Sequence, residues 1–209
     1  SVAVIIVDIT ERKRNERLIA HQAHYDSLTG LVNRVLFSDR LSHDLELAKR
    51  HEEKLTVLFL DLDGFKHIND SKGHQIGDDL LQLVAKRLLL SVRKSDTVAR
   101  LGGDEFAILL SNSSDTTLNE ENTTAQLIKK LLNTIKQPYT LGSSKAYISG
   151  CIGVSVYPQD GEDAITLLRK ADSAMYKAKA KGASNYQFFT STMDLETQHR
   201  AKLESALQV

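Results

Sequence analysis

The run Leu55–Leu62, LTVLFLDL, constrains the fold more than any other stretch of the chain. A nearly continuous apolar strand needs cover on both faces, so it reads as the centre of a sheet with helices packed over it. A second stretch, RLGGDEFAILL at Arg100–Leu110, adds a hairpin. Thr97–Arg100 and Phe106–Leu110 form its two strands, joined at Gly102-Gly103. Asp104 and Glu105 then stand side by side at the mouth of a buried strand, where like charges repel and burial raises the cost. Either they sit in water on an ordinary turn, or a bound cation or phosphate chemistry needs them there.

The other elements follow from periodicity. Helices are expected over Val35–His51, FKHIND, Gly77 to about Arg93, a segment ending before Pro138, and Asp163–Lys181. Strands are expected around Tyr139, over Ile148–Tyr157 and over Tyr186–Phe189. Strands and helices alternate with an antiparallel hairpin inside. That order predicts an α/β sandwich: a mixed, mainly antiparallel sheet flanked by helices. No internal repeat is present. Ser1–Ile9 is strand-like, and Thr10 can cap a sparsely apolar helix reaching residue 25, which reads as a stalk or connector. Residues 26–189 form the expected domain, and residues 190–209 a solvated helix.

Composition narrows the function classes. Hydrophobic residues make up 41% of the 209, enough for a real core. Lys+Arg and Asp+Glu are equal at 27 each. There is thus no basic footprint for nucleic acid or an anionic membrane, and any phosphate binding is local. Cys151 is the only cysteine, so no intrachain disulfide forms and a reducing, cytoplasmic setting is expected. Val2–Val7 is too short to span a bilayer. It lacks the basic flank of a signal peptide.

Asp61 closes the central strand and is assigned to the pocket face. Asp63 sits where a turn is expected to begin. DLDGFKHINDSK, counted from Asp61, is not an EF-hand loop, because Phe65 and Lys66 occupy positions five and six, which such a loop reserves for a ligand and a glycine. No GxxxxGK[ST] phosphate loop exists. Asn69 and Asp78 fit a guanine clamp, since a carboxylate accepts from N1–H and the exocyclic amine while an amide complements the remaining acceptors. Lys66 fits a phosphate contact. Ordinary helix caps and surface polar residues explain the same three residues. If the Asp61 strand lies beside the hairpin, Asp61 meets Asp104 and Glu105. Three carboxylates together call for divalent cations, and hard oxygen ligands near phosphate suit Mg²⁺ or Mn²⁺. The glycines leave room for a nucleotide.

Taken together, GGDEF at Gly102–Phe106, DLDGFKHIND, GHQIGD at Gly73–Asp78 and DSLTGLVNR at Asp26–Arg34 resemble the GGDEF family of diguanylate cyclases. The resemblance covers about Asp26 to Phe189 and implies a fold like nucleotidyl cyclases and the polymerase palm. It implies one GTP per domain, with two domains meeting as a homodimer to make cyclic di-GMP and two pyrophosphates. By position, Asp61, the Leu62 carbonyl, Asp104 and Glu105 would hold two metal ions, and Asp104 would assist deprotonation of the 3′-hydroxyl. Gly102 and Gly103 would admit the nucleotide, Asn69 and Asp78 would recognise guanine, and His74 would lie close by. Lys66 and Lys179 would neutralise phosphate charge. Arg93 and Asp96, as RxxD, match the family's inhibitory product site; helix-end and turn roles are their plain alternative. Asp26 is expected to pair with Arg100. Ala183 stands where the family often has a phosphate-binding Arg. VDITERK resembles the exit of a PAS domain and the C-terminal run an approach to an EAL domain, which predicts such neighbours in a longer parent. The rival reading is a domain that binds GTP or cyclic di-GMP without turnover and regulates a neighbouring phosphodiesterase.

Overall fold

The computed structural model describes residues 22–111, 120–142 and 144–193. The strand expected over Ser1–Ile9, most of the connector helix after Thr10 and most of the C-terminal helix lie outside the described residues. Residues 22–24 and 191–193 each form a helical turn. The elements run α1 (Arg34–His51), β1 (Leu55–Asp63), α2 (Phe65–Lys72), α3 (His74–Ser91), β2 (Thr97–Gly102) and β3 (Glu105–Leu110). They continue with α4 (Glu120–Lys136), β4 (Tyr139–Leu141), β5 (Ser144–Ala146), β6 (Ser149–Tyr157), α5 (Ala164–Ala180) and β7 (Tyr186–Phe188).

One five-stranded sheet has the order β2-β3-β1-β6-β7, so the LTVLFLDL strand is central. Its neighbours β3 and β6 are antiparallel to it, β2 is antiparallel to β3, and β7 joins β6 in parallel. The sheet is mixed and mainly antiparallel, as expected. Alternation along β1 explains its continuous apolarity. Leu58, Leu60 and Leu62 pack with Leu80, Leu81, Val84 and Leu88 of α3 and with Ile128, Leu131 and Ile135 of α4. Val57 and Phe59 face the other way, onto Phe37 and Leu41 of α1 and Leu167, Ala171 and Met175 of α5. Asp61 continues this second face, toward α5.

Local signals account for the helix ends. Asn33 caps α1, accepting from the Leu36 amide at 3.0 Å, and Asp163 caps α5, accepting from Thr166 at 2.8 Å. Arg87 on α3 closes the end of α4 by donating to the carbonyls of Thr134, Gln137 and Pro138, with its guanidinium 3.6 Å from the Tyr139 ring centre.

Three expectations need correction. β1 stays extended through Asp63 instead of turning there. Helix α3 begins at His74, three residues before Gly77, because Gly73 adopts φ +88 and starts the helix. The β2–β3 hairpin turns at Gly103-Asp104, since Gly102 already pairs with Glu105 across a bulge at Leu101. The short β4–β5 hairpin has no counterpart in the sequence reading beyond the strand at Tyr139. Among the described residues, no helix is long and apolar enough to cross a membrane.

Candidate active site

Strand register builds the acidic corner. Asp61 is the direct partner of Glu105, and residues opposite one another in an antiparallel pair project from the same face. Asp104 precedes Glu105 at the tip of the turn. The two clusters of charge seen in the sequence therefore meet at one end of the sheet.

The protein answers this charge with its own cations. Lys179, in the last turn of α5, lies 2.5 Å from Oδ1 of Asp61. The contact is one of charge and not of direction, because this buried oxygen has no well-aligned hydrogen-bond donor. Burial pushes the Asp61 carboxyl up, Lys179 opposes this, and Asp104 and Asp63 add to it. Burial works against the Lys179 ammonium, but the adjacent Asp61 carboxylate, with Asp104 and Asp63 behind it, outweighs burial and holds its pKa up. Arg34, at the start of α1, reaches Glu105 Oε2 at 3.4 Å and donates to the Leu101 carbonyl at 3.3 Å. The Glu105 carboxyl is lifted by burial, eased by Arg34 and raised further by Asp172, Asp61 and Asp104.

The sequence reading grouped Asp61, Asp104 and Glu105 around divalent cations, and the strand register brings Asp61 opposite Glu105 with Asp104 on the adjoining turn. Among the described residues, no three acidic, His or Cys side chains are grouped to hold a metal. Lys179 and Arg34 each engage one carboxylate instead. The corner still fits a divalent cation. A buried Asp61 oxygen without a directed donor, facing a cation, beside a second carboxylate on an open turn, is a hard-oxygen site of the kind Mg²⁺ or Mn²⁺ accepts.

The turn is braced from behind. Arg100 donates through Nε and Nη2 to the Gly103 carbonyl at 2.9 and 2.8 Å, and through Nη1 to both Asp26 oxygens at 3.1 Å. The Asp26–Arg100 pairing read from sequence is present. Asp26 also accepts from Thr29, at 2.9 Å from the amide and 2.6 Å from the hydroxyl. Burial pushes the Asp26 carboxyl up, but the Thr29 donors and Arg100 outweigh it and leave it below its ordinary 3.8. A carboxyl held down in the folded state stabilises above its unfolded pKa and loses that contribution as pH falls through the folded value. Asp26→Asn is therefore expected to lower the melting temperature at neutral pH and to flatten its fall below about pH 4, read by thermal unfolding across a pH series.

Asn69 of α2 carries a buried Oδ1 without a hydrogen-bond partner. A Cβ at Gly77 would overlap that oxygen. Glycine there lets Asn69 lie against the turn of α3 that bears the half-buried Asp78. Lys66 and His74 are exposed at the starts of α2 and α3.

A family model described as "Diguanylate cyclase, GGDEF domain" matches residues 23–185. The chain belongs to the GGDEF family. It is 42% identical over 194 residues to the bifunctional diguanylate cyclase/cyclic di-GMP phosphodiesterase MucR of Pseudomonas aeruginosa, covering 93% of this chain and 27% of that protein. It is 38% identical over 190 residues to the cyclic di-GMP phosphodiesterase NbdA of the same organism, covering 91% and 24%. The chain thus spans about a quarter of each of these relatives. Among solved structures, the isolated GGDEF domain of TpbB (YfiN) from P. aeruginosa shares 39% identity and a TM-score of 0.78, over 84% of this chain and 99% of that one. Mixed sheet, flanking helices and hairpin are those of a GGDEF domain.

Within this GGDEF domain, the RxxD residues form the turn between α3 and β2. Asp96 accepts from the Arg93 amide at 2.9 Å and from the Ser111 amide at 3.3 Å, so its carboxylate shapes the turn and ties it to the end of β3. Arg93 is exposed. This turn lies one six-residue strand, about 20 Å, from Asp104. Sequence reasoning gave Arg34 and Asp172 no role, although Arg34 ends the DSLTGLVNR motif; nothing local in sequence shows that α1 begins against the hairpin. Lys179, read from sequence as a phosphate contact, pairs with Asp61 at the same strand end.

Proposed function

We propose that this GGDEF domain is a diguanylate cyclase. It joins two GTP molecules into cyclic di-GMP and releases two pyrophosphates, with two domains facing each other so that each ribose 3′-hydroxyl meets the other nucleotide's α-phosphate. The register of Asp61 with Glu105 beside the Asp104 turn carries this reading, because a receptor alone has no use for three carboxylates at one strand end. Two Mg²⁺ or Mn²⁺ ions per site, held by Asp61, the Leu62 carbonyl, Asp104 and Glu105, would neutralise charge on the phosphates. Asp104, on the turn, accepts the 3′-hydroxyl proton. Lys179 and Lys66 meet the triphosphate, and His74 lies beside it. Asn69 and Asp78 take the guanine edge; the packing of Asn69 over Gly77, beside the turn that bears Asp78, supports that role. Gly102 and Gly103 leave space over the hairpin. Arg93 and Asp96 bind product and slow the enzyme, with PAS-like and EAL-like neighbours in the parent protein.

Incubation with GTP and Mg²⁺, assayed for pyrophosphate and cyclic di-GMP at protein concentrations that favour dimers, tests the proposal. GTP binding without turnover would establish the regulatory reading, which the phosphodiesterase relatives and Ala183 favour. Asp78→Asn is expected to raise KM for GTP about ten- to a hundredfold, as loss of a bidentate base contact does, and to narrow the preference over ATP. Steady-state kinetics with both nucleotides measure it.

A further inference from the structure

We propose that Asp63 is a positioning residue: its carboxylate fixes the turn after α5, and with it Lys179, against the strand end that bears Asp61. The inference rests on the cyclase reading for the identity of the substrate. Asp63 ends β1 opposite Ser149, the first residue of β6. Its Oδ2 accepts from Ser149 Oγ at 2.6 Å and from the Ser184 amide at 3.1 Å. One oxygen therefore joins β1, β6 and the segment between α5 and β7. This sets Asp63 apart from Asp61, whose buried Oδ1 has no directed donor.

That segment needs holding. Ser184 is one of two non-glycine residues with positive φ among those described, at +57, and Gly182 stands at +119. A side chain in the left-handed region costs about 1–2 kcal/mol and persists only where surrounding bonds impose it. Three contacts do so here. Cys151 Sγ donates to the Gly182 carbonyl at 3.6 Å, Ile152 donates to the Asn185 carbonyl at 3.0 Å, and Asp63 takes the Ser184 amide. Only Asp63 among them belongs to the strand that carries Asp61. The Gly182 amide in turn donates to the Lys179 carbonyl at 3.0 Å, so the turn and the lysine move together. Ala183 supplies no cation, so how this edge meets a triphosphate rests on the placement of Lys179, beside the exposed Lys181 that donates to Gln187.

The test uses the full chain and four variants: Asp63→Ala, Asp63→Asn, Lys179→Met and the Asp63→Ala/Lys179→Met double. Asp63→Ala is expected to raise KM for GTP and the Kd of a non-hydrolysable GTP analogue about ten- to a hundredfold, with a smaller change in kcat. Asp63→Asn keeps an oxygen that accepts both bonds, and should restore most of the loss. In the Lys179→Met background, Asp63→Ala should add nothing, because Asp63 acts through Lys179. Losses that multiply, or an asparagine no better than alanine, overturn the proposal. If Asp63→Ala fails to fold, Ser149→Ala removes one of the two donors and should give a smaller rise in KM; an unchanged KM overturns the proposal equally. A wild-type chain that neither binds nor turns over GTP would overturn the cyclase reading instead. Positioning is then read without nucleotide, from hydrogen exchange at the Ser184 amide and the ¹⁵N resonance of the Lys179 ammonium. Both should change in Asp63→Ala and return in Asp63→Asn, and unchanged signals overturn the inference.

Discussion

Gly153→Ala is expected to destabilise the domain by about 3 kcal/mol or more, lowering the melting temperature by roughly 6–12 °C. Gly153 lies on β6 where α5 crosses. A Cβ there would overlap the carbonyl oxygen of Ala171 and the backbone nitrogen and Cα of Met175. Backbone atoms have no rotamer to retreat into, so the helix itself must shift, and interiors packed to crystal density resist that. Gly161→Ala is the control. Its methyl would meet the side chain of Thr166, which has some freedom to adjust. Thermal unfolding followed by circular dichroism separates the two, and similar melting temperatures for both variants would contradict the close approach at Gly153. Because α5 also delivers Lys179, Gly153→Ala should lower the proposed cyclase activity further than its loss of folded protein explains.

Asp61→Asn has the opposite profile. Cyclic di-GMP synthesis should fall at least about a hundredfold, the scale on which removal of one preorganised charged contact acts, while stability at pH 7 holds or rises. Burial is the main reason that the Asp61 carboxyl titrates above 3.8, with Lys179 only partly offsetting it. A carboxyl raised in the folded state penalises the charged form, so the domain loses stability as pH rises from the ordinary value through the raised one. A neutral asparagine removes that penalty. Lys179, partly exposed, retains water and the charges of Asp104 and Asp63. An active Asp61→Asn enzyme would remove the basis of the metal site. A large drop in its melting temperature would make the Lys179 pair structural.

The contrast between these residues explains what was legible in the sequence. Local patterns carried the central strand, the hairpin and the long helices, because apolar periodicity and glycine placement are written within a few residues. The meeting of Asp61 with Glu105 was legible only as a condition, since it depends on β1 lying beside β3. Pairings across the whole chain were hidden: β7 joining β6 in parallel, Arg34 reaching Glu105, and Asp63 receiving the Ser184 amide. Gly77 looked like a helix start, yet it lies inside α3, where its missing side chain makes room for Asn69. Asp26–Arg100 was the exception, a long-range pair anticipated once the resemblance to the GGDEF family had been drawn. In Asp96, by contrast, the plain turn role is visible in the bonds to Arg93 and Ser111, and ligand binding there awaits test.

The brace behind the hairpin has a mechanical consequence. Val32 is bridged to Ala99, the Arg100 amide binds the Val32 carbonyl, and the Arg100 side chain spans from Asp26 to Gly103. No slack bond lies between the chain entering at Asp26 and the peptide that precedes Asp104. A twist or pull applied at Asp26 thus has a short, continuously bonded path to the hairpin tip, as through a lever.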